Sequence, residues 1–218
     1  MNFEITNDVA TICIDDGKAN VFGTHLVEEL PPLLERAKSE AKAVVFTGRT
    51  GMFSAGFDLK ALQEGPEVRD RVLGGGMAIL EKIYSHPQPV IAACDGHAIG
   101  MGAFLLLSSD VRIGSDNEYN VTLPETAIGM PFTPVLMALI KERLSNKHKS
   151  IAILTSKPHP PAEAQEAGFL DQVVGADALL GTAQAVAEGL AQLPADMYAT
   201  NKLDLRSESL AIMRADLA

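Results

Sequence analysis

Apolar positions along the chain change period several times, and each change marks an element. Residues 3–6 and 9–14 read as two short strands around Asn7-Asp8, a turn pair, and predict a hairpin. Leu26, Leu30, Leu33, Leu34 and Ala37 then recur at helical spacing, the stripe of an amphipathic helix that Pro31 and Pro32 are expected to kink or delay. Ala43–Phe46 reads as a short buried strand ending at Thr47-Gly48. Val68, Val72, Ile79, Leu80 and Ile83 mark a helix with Gly74–Gly76 inside it. Pro89–Cys94 is a second buried strand, closed by Asp95-Gly96. An apolar helix is expected from Gly100 to about Ser109, followed by short strands near Val111–Ile113 and Tyr119–Leu123. Beyond Pro131 the pattern turns helical, with one stripe at Val135, Leu136, Leu139 and Ile140 and another at Leu179, Ala183, Val186, Ala187 and Leu190. Short strands with intervening helices argue for an α/β domain. The strand-poor second half argues for a helical C-terminal portion.

Composition narrows the function classes. The chain has 218 residues, 47% hydrophobic and 21% charged, enough apolar side chain for a packed core of one domain. Its net charge of −10 argues against a general nucleic-acid binder. Apolar runs such as Ala103–Leu107 are too short to span a bilayer. The opening Met-Asn-Phe-Glu-Ile-Thr has neither a basic region nor an apolar core, so no signal peptide is expected and a cytoplasmic, reducing location is. Cys13 and Cys94 make no disulfide framework, and the histidines His25, His86, His97, His148 and His159 show no metal-ligand spacing.

Three segments carry candidate chemistry. Phe53-Ser54-Ala55-Gly56-Phe57-Asp58-Leu59-Lys60 follows a strand and opens a helical stretch. Asp95-Gly96-His97-Ala98-Ile99-Gly100-Met101-Gly102 joins a strand to a helix. Each junction can leave backbone N–H groups pointing into a cleft, and two such junctions facing one another make an oxyanion hole. Taken singly, such glycines often do no more than make tight turns. The third segment, Leu123–Pro131, sets Glu125 between apolar residues, where burial raises a carboxyl pKa towards general acid/base use. The competing reading of Glu125 is a helix N-terminal glutamate after Pro124.

In this order the segments resemble the crotonase family, the enoyl-CoA hydratase/isomerase superfamily. The resemblance runs from Lys18-Ala19-Asn20 through Phe53–Lys60, Pro89–Phe104 and Leu123–Pro131 to Ala162–Val174. It implies an α/β fold, a spiral of ββα units as acyl-CoA-binding core over 1–145, and a helical region over 146–218 that builds a homotrimer or hexamer. The implied substrate is an acyl-CoA thioester, with coenzyme A arriving as part of the substrate and no other cofactor or metal. Its carbonyl oxygen would be held by the N–H groups of Phe57 and Met101. The substrate-binding set implied by position is Ala55, Asp58, Gly100 and Phe104, with Lys60 near the CoA moiety and Lys18 and Ala19 at the pantetheine and nucleotide entrance. Neither a nucleic acid nor a membrane is an expected partner.

The departures from the family pattern bear on the reaction. Family hydratases place two glutamates around one water; Glu125 matches the second, but Phe104 stands where the first belongs. One carboxylate is enough for a 1,3-proton shift, so Glu125 favours enoyl-CoA isomerase-type chemistry. A hydratase with a substitute acid (Asp58, Asp95 or Glu118) and an inactive acyl-CoA-binding protein are the alternatives. Met101 replaces a usual glycine but keeps its N–H. After Asn201-Lys202 only 16 residues follow, which implies a compact member or a more open pocket. A Clp-type serine peptidase is excluded at this site because Gly100 stands at the nucleophile position. His97 and Asp110 are read as structural.

Overall fold

The computed structural model describes Met1–Ala218. Strands β1 (Asn2–Thr6) and β2 (Val9–Cys13) pair antiparallel, and Asn7 and Asp8 both take positive φ, the conformation a two-residue hairpin of this twist needs. Helix α1 (Thr24–Glu40) starts well before Pro31 and Pro32 and continues unbroken past them, so they do not delay its start. Leu26, Leu30, Leu34 and Ala37 bury one face along its whole length, and that packing outweighs the hydrogen bonds the prolines forgo.

The spiral then unfolds as repeated units. β3 (Ala43–Thr47) and β4 (Gly51–Ser54) precede α2 (Pro66–Tyr84), and β5 (Val90–Cys94) and β6 (Gly96–Ile99) precede α3 (Met101–Ser108). β7 (Val111–Ser115) and β8 (Val121–Thr122) complete the series. The first strand of each unit joins one sheet of order β1-β2-β3-β5-β7-β9, and the second joins a smaller sheet of order β4-β6-β8. All pairings except β1–β2 are parallel. Of the smaller sheet the hydrophobic pattern discloses only β8, within the strand expected near Tyr119–Leu123; β6 lies within a stretch that reads as a glycine turn.

Helices α4 (Pro134–Arg143), α5 (Lys149–Thr155), α6 (Pro161–Ala167), α7 (Leu179–Leu190), α8 (Ala195–Leu205) and α9 (Ser207–Leu217) follow, with β9 (Gln172–Val174) returning to the main sheet beside β7. β3 and β5 are buried on both faces, as parallel strands covered on either side must be. Val44, Phe46, Val90 and Ala92 enter the main core with α1–α4. Ala43, Val45, Ile91 and Ala93 instead meet Leu179, Ala183 and Ala187 of α7. No helix is long and apolar enough to cross a membrane.

Backbone contacts between units set the tolerance for side chains. A Cβ at Gly102 would stand 2.2 Å from the Ser54 carbonyl oxygen, so α3 rests directly on β4. Gly102→Ala is expected to destabilise the fold by at least about 2 kcal/mol, whereas Gly181→Ala, in α7 with open space around it, should stabilise it by about 0.5–1 kcal/mol. Thermal denaturation of the two variants checks the contrast.

Candidate active site

The two glycine junctions do face one another. The loop after β4 is laced to segment 19–22: Ala55 N–H donates to the Ala19 carbonyl at 2.9 Å, Phe22 N–H to Gly56 at 2.7 Å, and Asp58 N–H to Phe22 at 3.0 Å. Buried Asn20, at φ 52°, donates its amide to the Met52 and Phe53 carbonyls at 3.1 and 3.2 Å. On its other side the loop meets the start of α3. A Cβ at Gly56, where φ is 87°, would stand 2.7 Å from Ile99 O and 3.3 Å from Met101 N. The peptide bearing the Phe57 N–H therefore lies beside that of Met101.

Neither N–H is committed elsewhere. Phe57 N–H donates to no group of the protein, and Met101, as first residue of α3, lacks a carbonyl one helical turn behind it. The side chains of both residues pack beneath Gly76 of α2, where a Cβ would come within 2.8 Å of the Phe57 ring. The flexible-looking glycine triplet is thus a notch for these two side chains.

Glu125 completes the cluster. It sits in a run of turns after Leu123-Pro124, not at a helix N-terminus, and its carbonyl accepts from Met130 N–H at 2.8 Å. Its side chain is 7% exposed, and Oε2 has no hydrogen-bond partner. Burial pushes its pKa up to about 7. Oε1 lies 3.3 Å from the position a Cβ would take on Gly100, whose φ of 52° and ψ of −118° suit only glycine.

These groups share one cavity of about 540 Å³ with Ala55, Phe57, Gly100, Met101 and Glu125 on its wall. α2, α4 and α9 add Leu73, Met77, Leu136, Asp216 and Leu217, and the loop around Glu125 adds Ile128 and Met130. Of the two readings of the 16 residues after Lys202, a compact member or a more open pocket, the first is favoured by α9 placing Asp216 and Leu217 on the cavity wall. Sequence reasoning missed Asp216 and Leu217, because nothing in the helical pattern says which face of α9 reaches the cavity.

Other expected residues lie apart. Phe104 does not line the cavity: all of α3 is buried, and the Phe104 ring stands edge-on to Phe132 at 6.3 Å. Lys18 and Asp58 line a separate cavity of about 560 Å³ beside His25. Ala19 and Lys60 line neither cavity, and Lys60 is exposed. Arg49, unremarked in the sequence, donates to the Lys18 carbonyl and adds a second cation beside that entrance. Asp15, Asp16 and Asp58 carry opposite charge there, but each accepts backbone N–H groups of its own turn. Of the substitute acids, Asp95 accepts from Asn117 at 2.7 Å and Glu118 is exposed; neither reaches the Glu125 cavity. His97 Nδ1 accepts from Asn120 N–H, and Asp110 pairs with Lys202 and Arg206.

The sequence matches the enoyl-CoA hydratase/isomerase family over residues 4–212. It is 32% identical over 187 residues to a carnitinyl-CoA dehydratase of Proteus mirabilis, covering 84% of this chain and 71% of that one. The fold superposes on an enoyl-CoA hydratase from Mycobacterium ulcerans with a TM-score of 0.94 at 34% identity, over 99% of this chain and 95% of that chain. An enoyl-CoA isomerase of Mycobacterium tuberculosis gives 0.93 at 33% identity, over 99% and 95%.

The raised pKa of Glu125 has a thermodynamic signature. The folded state holds this proton up to about pH 7 while the unfolded chain releases it near 4.5, so the group lowers stability as pH rises through that window. Glu125→Gln removes the effect. The variant should match the wild type near pH 4 and exceed it by on the order of 3 kcal/mol near pH 8, as read by denaturant titration. A difference independent of pH would show that Glu125 is not held neutral by the fold.

Proposed function

The chain belongs to the enoyl-CoA hydratase/isomerase family, and we propose that it is an acyl-CoA enzyme that moves a proton along an enoyl-CoA through Glu125 alone. The observation that carries this reading is the isolation of the Glu125 carboxyl: buried, unpartnered at Oε2, with a phenylalanine pointing into the core where family hydratases place a second glutamate.

In this mechanism the thioester oxygen accepts from the N–H groups of Phe57 and Met101. The Glu125 carboxylate removes a proton from C2 of a 3-enoyl-CoA, and the electron pair delocalises over a dienolate whose oxygen carries the charge. The same carboxyl, now protonated, returns the proton to C4, giving the 2-enoyl-CoA and restoring the base. A base with a pKa near 7 holds both protonation states within easy reach, which suits a group that must take and give. Donors fixed by backbone stabilise the oxyanion without reorganising. Lys18 and Arg49 supply charge for the CoA phosphates at the neighbouring cavity.

We further assign acyl-CoA binding chiefly to residues 1–145 and assembly into a homotrimer or hexamer to 146–218. Exposed Ile151, Leu154 and Ile212 on the later helices support an interface there. A specific observation favours one second reading: Asp216 puts a second carboxylate on the wall of the Glu125 cavity, and it would make the enzyme a hydratase if it held a water opposite Glu125.

Assays on paired substrates separate the two. Conversion of 3-enoyl-CoA should exceed hydration of 2-enoyl-CoA, its kcat/KM should rise with pH to a plateau above about 7, and Glu125→Gln should lower it about 10²-fold or more. Asp216→Asn should leave isomerisation intact. Efficient hydration that Asp216→Asn abolishes supports the second reading instead. Light scattering tests assembly: three or six copies are expected, and a 23.2 kDa monomer at micromolar concentration would contradict it.

A further inference from the structure

A cavity of about 450 Å³ opens beside α8 and shares no residue with the Glu125 pocket. Three cations, Arg143, Lys202 and Arg206, line it against a single carboxylate, Asp110. Lys202 Nζ lies 2.7 Å from Asp110 Oδ2 and Arg206 lies 2.8 Å from Oδ1, so one carboxylate is shared by two cations and Arg143 has none. The remaining nearby guanidinium, Arg112, is already paired with Asp171. The local formal charge is therefore positive by two.

Helix ends hold the cations in place. Arg143 donates to the Leu107 and Ser109 carbonyls at 3.1 and 2.9 Å, at the C-terminus of α3. Arg206 donates to the Tyr84 carbonyl at 2.6 Å, at the C-terminus of α2, and lies over the Tyr84 ring. Lys202 also donates to Gln88 O at 3.1 Å. These carbonyls satisfy hydrogen bonds and the helix dipoles favour cations there, but they carry only partial charge. Burial and the neighbouring guanidiniums push the Lys202 pKa down to about 8, the response of a cation with too little opposite charge. The mouth is different in character, formed by Leu193, Pro194, Met197 and Leu205.

We propose that this cavity is an anion site for a carboxylate carried on a short apolar chain, a free fatty-acid-type ligand, with the head against Arg143 and the chain along the apolar mouth. Both parts of such a molecule are matched, and an uncharged or purely ionic ligand would match only one.

Titration calorimetry of the assembled protein with octanoate, 1-octanol and inorganic phosphate tests this. Octanoate should bind saturably and at least about tenfold tighter than either control. Leu205→Glu and Asn201→Asp each place a competing carboxylate at the site from exposed positions of α8, so neither threatens the fold. Each should weaken octanoate about tenfold and leave enoyl-CoA turnover unchanged, while Glu125→Gln leaves octanoate binding unchanged. No saturable octanoate binding overturns the proposal. So does binding matched by 1-octanol or phosphate, or binding that both α8 variants leave untouched.

Discussion

The approach of one backbone segment to another, closer than any side chain allows, is the constraint on which the rest of this structure depends. Gly56 and Gly102 let the loop after β4 lie against the first turn of α3, at separations that a Cβ would reduce to 2.7 and 2.2 Å from carbonyl oxygens. That contact sets two otherwise unrelated peptide N–H groups side by side. The two sheets serve it: β4 and β6 pair in the smaller sheet, so both loops leave the same edge in the same direction. Asn20 and Ala19 then fasten the first loop from behind. Donors built this way have no rotamers to lose, and their aim is a property of the fold.

Glu125 shows the opposite economy. Its burial destabilises the folded protein above the pH where a carboxyl ordinarily ionises, a cost that the proposed use of its proton would account for. Asp110 makes the comparison. It is equally withdrawn from water, yet Lys202 and Arg206 hold its carboxyl below the usual range despite the upward pull of burial. One buried carboxylate is paired and structural. The other is left without a partner beside the uncommitted N–H groups of Phe57 and Met101. The environment of each group, not the residue type, separates their roles.

Much of this was legible in residue order. Strand β3, strand β5 and helix α3 are buried on every face and could be read directly, and the positions of Gly56, Gly100 and Glu125 pointed to one cluster that the fold brings together. What could not be read has identifiable physical causes. In the smaller sheet, β4 and β6 are short, glycine-bounded strands whose pairing partners are far away in sequence. Pro31 and Pro32 misled because local propensity yields to a continuous buried face. Phe104 was expected on the cavity wall, but its direction depends on how α3 rotates within a fully buried layer. Asp216 and Arg49 reach their sites only through tertiary packing, of which a one-dimensional pattern carries no trace.

Relatives alone leave the reaction open: one Mycobacterium tuberculosis protein with this fold is described both as a probable enoyl-CoA hydratase and as an enoyl-CoA isomerase. The central claim here is narrower, that one carboxyl carries a single proton from C2 to C4. Isotope transfer tests it most directly. A 3-enoyl-CoA deuterated at C2 is converted in ordinary water, and the product is examined by NMR. A lone buried Glu125 predicts deuterium delivered to C4 of the 2-enoyl-CoA in a substantial share of turnovers. Complete loss of the label to solvent, with a hydroxyl appearing at C3, would contradict it.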